Sequence, residues 1–182
     1  MMSAELTEGG EPESAIQENM RQILTFHLAG EIFGIDILRV KEIIEFGHVT
    51  TVPLMPGFVK GVINLRGAVV PVIDLLARFD RPISSLSRRT CIVIIEVDSE
   101  GVKQDLGVVV DAVSEVREFA ARDIESAPRF GAAIRADFIE CMAKISDNFT
   151  IVLAVDKVLS LDEMADLARY GANSAKDPKI RH

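Results

Sequence analysis

From residue 22 onward the chain alternates between apolar and polar positions. Leu24, Phe26 and Leu28 fall on one side of an extended segment, with Thr25 and His27 on the other. That is the two-residue period of a half-buried strand. Ala29-Gly30-Glu31 turns the chain into Ile32-Phe33-Gly34-Ile35, which predicts a hairpin. The second half opens the same way. Thr90 to Val97 is almost continuously apolar, as a strand buried on both faces requires, and Asp98 to Gly101 turns it back into Lys103–Val110.

The returning strands carry an internal repeat. Gly34 is followed by Val40, Glu42 and Ile43 at six, eight and nine residues, and Gly107 by Val113, Glu115 and Val116 at the same offsets. Both halves then pass a proline-bearing stretch (Pro53 to Pro56; Pro128) and enter an apolar hairpin, Gly61–Ile73 and Phe138–Val155. Each hairpin ends at an aspartate placed to cap a short helix, Asp74 and Asp156. Matches in one order through both halves indicate two copies of one plan. Four or five short strands leave open edges unless they close, so each copy predicts a small barrel. The expectation is two packed β-barrel lobes over 22–88 and 89–160, with exchange of a first strand between them left open. Residues 161–170 predict a C-terminal helix: Ser160 and Glu163 fit a capping box, and Leu161, Met164, Leu167 and Ala168 form one apolar stripe. Residues 1–21 and 171–182 read as flexible tails.

Composition narrows the function. Of 182 residues 48% are hydrophobic, but only 5% are aromatic and none is Trp, so Val, Ile and Leu must build the core. A net charge of −8 repels a phosphate backbone. The only basic clusters, Arg88-Arg89 and the tail residues Lys176, Lys179 and Arg181, are too thin for a nucleic-acid footprint. The first twenty residues hold five Glu and no Lys or Arg, which does not fit a secretory signal, and no run approaches membrane-spanning length. Cys91 and Cys141 sit in apolar runs without a CxxC or a His cluster, so they read as buried free thiols in a cytoplasmic, reducing compartment.

Catalytic chemistry finds little support. No phosphate-binding loop, dinucleotide fingerprint, nucleophile elbow or zinc-protease motif occurs. The carboxylates Asp36 and Asp111 read as caps on backbone amides rather than as an acid–base pair. The expectation is therefore no enzyme, no metal and no cofactor. One segment stands out for binding. In Asn64-Leu65-Arg66-Gly67 the Asn and Gly suit a tight turn and lift Arg66 to a hairpin tip between aliphatic strands. Glu42, between Val40 and Ile43, is placed to pair with Arg66 and to hold a recognition surface in shape.

Gly34–Ile43, Phe58–Gly67, Val70–Leu75 and Gly107–Val116 together resemble the CheW family of bacterial chemotaxis adaptors, and the resemblance runs from about Gln22 to Ala168. It implies two SH3-like five-stranded barrels, mostly β, with short helices. It implies a non-catalytic scaffold that joins the cytoplasmic tips of methyl-accepting chemoreceptors to the regulatory domain of the histidine kinase CheA. Carried over by position, the receptor-facing residues are Val40, Glu42, Ile43, Gly61, Arg66, Val113 and Val116, with Asn64 and Gly67 forming the turn. Kinase contacts are expected mainly from first-lobe strands. The protein is then cytoplasmic, recruited to membrane-associated receptor arrays without inserting into the membrane, and monomeric in isolation. Two other readings stand beside this one: an equivalent scaffold for pilus motility or development, and a small-molecule-sensing barrel module.

Overall fold

In the computed structural model the described residues are 20–127, 134–160, 162 and 163. Eleven strands alternate with short turns: β1 (Arg21–Leu28), β2 (Glu31–Asp36), β3 (Val40–Glu45), β4 (Val59–Leu65), β5 (Ala68–Asp74), β6 (Cys91–Ser99), β7 (Val102–Val110), β8 (Ala112–Phe119), β9 (Ile124–Glu125), β10 (Ile139–Ile145) and β11 (Asn148–Leu153). Two one-turn helices follow the second hairpin of each half, α1 (Leu75–Arg78) and α2 (Val155–Val158). The molecule is mostly β, in two SH3-like subdomains.

The strands divide into a six-stranded sheet, β8-β1-β2-β11-β10-β9, and a five-stranded sheet, β3-β6-β7-β5-β4. Leaving out the two-residue β9, the strand order is the same in both when β1 is matched to β6, β2 to β7, β3 to β8, β4 to β10 and β5 to β11. The repeat is therefore structural. Its boundaries are not those of the lobes, however. The five-stranded lobe is the continuous stretch from Val40 to Val110, and the other is built from 21–36 and 112–153. The expected division at 88/89 is corrected accordingly: each half of the chain lends its first hairpin to the other half's lobe. The cause is the shortness of two connections. Only Ile37–Arg39 separates β2 from β3, and only Asp111 separates β7 from β8. Neither has the length to fold its strand back beside the preceding hairpin, so the chain crosses to the opposite sheet. More than the first strand is exchanged.

Three apolar clusters result. Ile63, Val70, Val72, Ile92, Ile94 and Val109 fill the five-stranded lobe. Ile23, Phe119, Cys141, Ala143 and Val152 fill the other. The largest lies between the sheets, where Phe26, Phe33, Phe79 and Phe138 run in a chain of ring contacts at 5.8–6.3 Å. Strand β6 serves two of these clusters, Ile92 and Ile94 facing one way and Val93, Ile95 and Val97 the other, as its unbroken apolar run requires. Thr25 departs from expectation. It is buried on the six-stranded lobe's inner face, and its hydroxyl donates to the Glu115 carbonyl at 2.8 Å. Asp74 caps α1 by accepting from Ala77 N. Asp156 caps nothing: Ala154 occupies that position, and Asp156 instead holds Arg39 and accepts from Asp98 N at 3.1 Å. Glu163 N donates to Ser160 Oγ at 3.3 Å, one half of the expected capping box. Of the predicted helix 161–170, Asp162 and Glu163 are helical, and the remainder lies outside the described residues, as do both tails apart from Met20 and Arg21.

Candidate partner-binding surface

One cross-strand row organises the surface. Across the five-stranded sheet it runs Glu42–Ile94–Gly107–Val72–Gly61, from the edge strand β3 to the edge strand β4. The sheet curls until its two edges approach. Thr50, just beyond β3, exchanges two backbone hydrogen bonds with Val62 of β4, at 2.8 and 2.9 Å. Gly61 makes that approach possible. It has a φ of +152°, and a Cβ there would overlap the Thr50 carbonyl oxygen and lie 2.8 Å from Val49 Cγ1. Gly61 is buried, and its missing side chain lets the Thr50 backbone close against β4.

Glu42 and Arg66 bind the same two edges together. Arg66 Nη2 donates to Glu42 Oε2 at 2.8 Å, and that bond holds the guanidinium more firmly protonated than usual. A bulge at Lys41 explains why Glu42 can reach. Val40 pairs with Ile95 and Glu42 with Ile94, so the extra residue changes which face the strand presents. Val40 consequently packs toward the core between the sheets, while Glu42 and Ile44 lean over the five-stranded lobe. The second oxygen, Glu42 Oε1, is buried and accepts no hydrogen bond among the described residues. Glu42 is thus a half-buried strut, and Arg66, 74% exposed, is the outward end of the pair.

The turn is built as its residues require. Arg66 and Gly67 both have positive φ, 50° and 86°, the two-residue geometry that matches strand twist. Gly67 N donates to Asn64 Oδ1 at 2.9 Å, fixing the tip. On β3 Ile43, next in sequence to Glu42, is 42% exposed. Val116, 47% exposed, is its repeat counterpart on β8, the edge of the other sheet. Val113 is half-buried against the central core, as Val40 is. The structure therefore brings Glu42, Arg66, Asn64 and Gly67 together, places Gly61 where the two sheet edges close, and leaves Val113 and Val116 on the opposite lobe.

The capping reading of the remaining acids holds. Asp36 accepts from Leu38 N at 3.0 Å, and Asp111 from Ala29 N at 2.8 Å and from the Ser84 hydroxyl at 2.9 Å. Burial pushes the Cys141 thiol up, which disfavours a reactive thiolate. Two clusters went unseen in the sequence. Arg39 clasps the lobes by donating to the Glu96 carbonyl and to Asp156. Arg78 and Arg135 converge on Glu163. An arginine set among Leu75, Leu76 and Phe79 was the one available signal for a buried cation at position 78.

The model of the CheW-like domain matches residues 22–163. The chain is 35% identical over 145 residues to the chemotaxis protein CheW of Klebsiella aerogenes, covering 80% of this chain and 85% of that protein. It is 31% identical over 158 residues to the chemotaxis protein CheW of Treponema pallidum, covering 85% and 91%. Among solved structures it is similar to the scaffolding protein TtCheW from Thermoanaerobacter tengcongensis, with a TM-score of 0.69 and 36% identity over 76% of this chain and 86% of that one.

Proposed function

The chain belongs to the CheW family of chemotaxis scaffold proteins, and from that premise we propose that it couples the cytoplasmic tips of chemoreceptors to a CheA-type histidine kinase. The observation that carries the reading is the Glu42–Arg66 pair, which ties together the two edges of one lobe and leaves an exposed arginine at the hairpin tip. An arginine fixed by its own ion pair loses little freedom on binding and can anchor an interface. Ile43 and Val116 offer apolar contact to the hydrophobic face of a receptor helical hairpin, and Arg66 supplies the polar contact that sets its register. Val40 and Val113 support those strands from beneath, and Gly61 keeps the closing segment in place. Strands of the five-stranded lobe remain for the kinase regulatory domain, whose barrels would pack against them.

The scaffold acts by holding partners, without bond-making chemistry of its own. No helix among the described residues is long and apolar enough to cross a membrane. Membrane association would therefore come through receptors in an array. The test is a pull-down with a CheA kinase and a receptor cytoplasmic fragment. The wild-type chain is expected to bring down both, and Arg66→Ala to lose receptor while keeping its fold. Capture of neither partner by the wild-type chain would refute the coupling role.

A further inference from the structure

The outer edge of β8 is open where that of its repeat counterpart is closed. Strand β3 also lies at a sheet edge, but Glu42 crosses from it to Arg66, and Thr50 beyond it pairs with Val62. On β8 the Glu115 carboxylate, among the described residues, pairs with Arg117 of the same strand, at 3.6 Å. Ser114, Glu115, Val116, Arg117 and Glu118 are all exposed, whereas exposure alternates along β3 as it does on a strand packed on one face. The backbone is open on the same side. The Glu115 amide donates to Thr25 Oγ1 at 3.3 Å, and its carbonyl accepts from that hydroxyl at 2.8 Å, so both groups turn toward β1. Main-chain groups alternate along a strand, which turns the amide and carbonyl of Val116 away from β1. Among the described residues no strand lies on that side. An open edge of this kind is a template for a further strand.

The charges on β8 select which strand fits. When a strand pairs antiparallel with its own copy about a two-fold axis, one residue stands opposite itself. An axis through Glu115 or through Arg117 sets a charge against its like. An axis through Val116 sets Glu115 against the partner's Arg117 twice over, and Ser114 against the partner's Glu118. In that register Val116 exchanges two backbone hydrogen bonds with its copy. The unlike charges then fall in the closely spaced, non-hydrogen-bonded pairs, where side chains interact most strongly.

We propose that the edge Ser114–Glu118 of β8 is a self-recognition site, through which two copies of this chain pair antiparallel about Val116. A ladder this short falls below the size of a stable interface, so the pairing belongs to crowded chains and leaves the dilute chain monomeric. Pairing covers Val116 and so excludes a receptor from it. That exclusion rests on the receptor reading above; the self-pairing does not.

The test is sedimentation equilibrium of the full chain, up to about 1 mM and at about 0.15 M salt. The wild type is expected to pass from monomer to dimer across the series. Glu115→Arg and Arg117→Glu each set like charges opposite one another at both pairs, and each should weaken self-association about tenfold. An equimolar mixture of the two single variants restores unlike pairs and should associate as the wild type does. So should the double variant, which separates loss of the contact from loss of the fold. Single variants that self-associate like wild type, or a mixture that stays monomeric, overturn the proposal. A wild-type chain that is monomeric throughout overturns it as well, and leaves the edge to a strand of a different protein.

Discussion

The row Glu42–Ile94–Gly107–Val72–Gly61 has a counterpart on the other lobe, Glu115–Thr25–Gly34–Val152–Cys141. The central glycines serve one purpose in both. A Cβ on Gly107 would lie 2.7 Å from Ile92 Cγ2, and one on Gly34 2.5 Å from Ile23 Cγ2, so each lobe demands the same gap at the same place. The ends of the rows diverge. Gly61 admits the Thr50 backbone, whereas Cys141 fills its place with a thiol near Arg21. Arg66 at one hairpin tip corresponds to Ser146 at the other, with φ of 50° and 53°. Glu42 reaches across to Arg66, while the Glu115 carboxylate, among the described residues, pairs with Arg117 of its own strand, at 3.6 Å. The interior of the repeat is held by packing. The tip and the edges are where one copy acquires a fixed, exposed arginine and the other does not.

The largest effect should come from the row ends. Gly61→Ala forces a Cβ into the Thr50 carbonyl and should cost about 2–4 kcal/mol in urea unfolding. Cys141→Ala leaves a small cavity and should cost about 1 kcal/mol. Equal costs would erase the distinction between the lobes. Next comes the ion pair. Glu42→Arg and Arg66→Glu should each weaken receptor-fragment binding about tenfold, and the double variant should recover part of the loss, because the two residues act as one unit. Glu115→Gln should leave the same titration unchanged.

A smaller effect concerns the clasp between the lobes. The Arg39 hydrogen bonds hold the Asp156 carboxyl below its usual range, with the Asp98 amide adding to the shift. A carboxyl whose folded pKa is depressed stabilises the fold above its unfolded pKa, roughly 3.9, and loses that contribution as pH falls through the folded value. Thermal melts of Asp156→Asn should therefore fall less steeply than wild type below about pH 4. Parallel acid limbs would mean that the clasp contributes nothing.

Periodicity and spacing reached the strands, the hairpins and the repeat, since each is written into local sequence. The doubly buried β6 and the Asp74 cap followed from the same signals. Partner choice between strands was not legible. A two-residue period says that Leu24 and Phe26 share a face, but not which sheet receives it, so the exchange of hairpins depends on connection lengths and not on periodicity. The bulge at Lys41 was hidden for a similar reason, because it appears only in the register of β3 against β6. The helix start at Ala154 was not legible either, because an aspartate two residues on carries the same local signal as a cap while the strand's actual end is set by the pairing of Leu153 with Ile139. The Glu42–Arg66 pair was within reach because unlike charges flanked by aliphatics in adjacent elements have few other partners. Gly61 was found, but its contact with Thr50 is a through-space fact that spacing does not encode.

The most direct test sets the two hairpin tips against each other by titrating a receptor cytoplasmic fragment into wild type, Arg66→Ala and Ser146→Ala. The expected result is about tenfold or greater loss of affinity for Arg66→Ala, an unchanged affinity for Ser146→Ala, and wild-type melting for both. Equal affinity in all three, or equal loss in both variants, would contradict the claim that the arginine tip of the five-stranded lobe is the receptor-facing end of the scaffold.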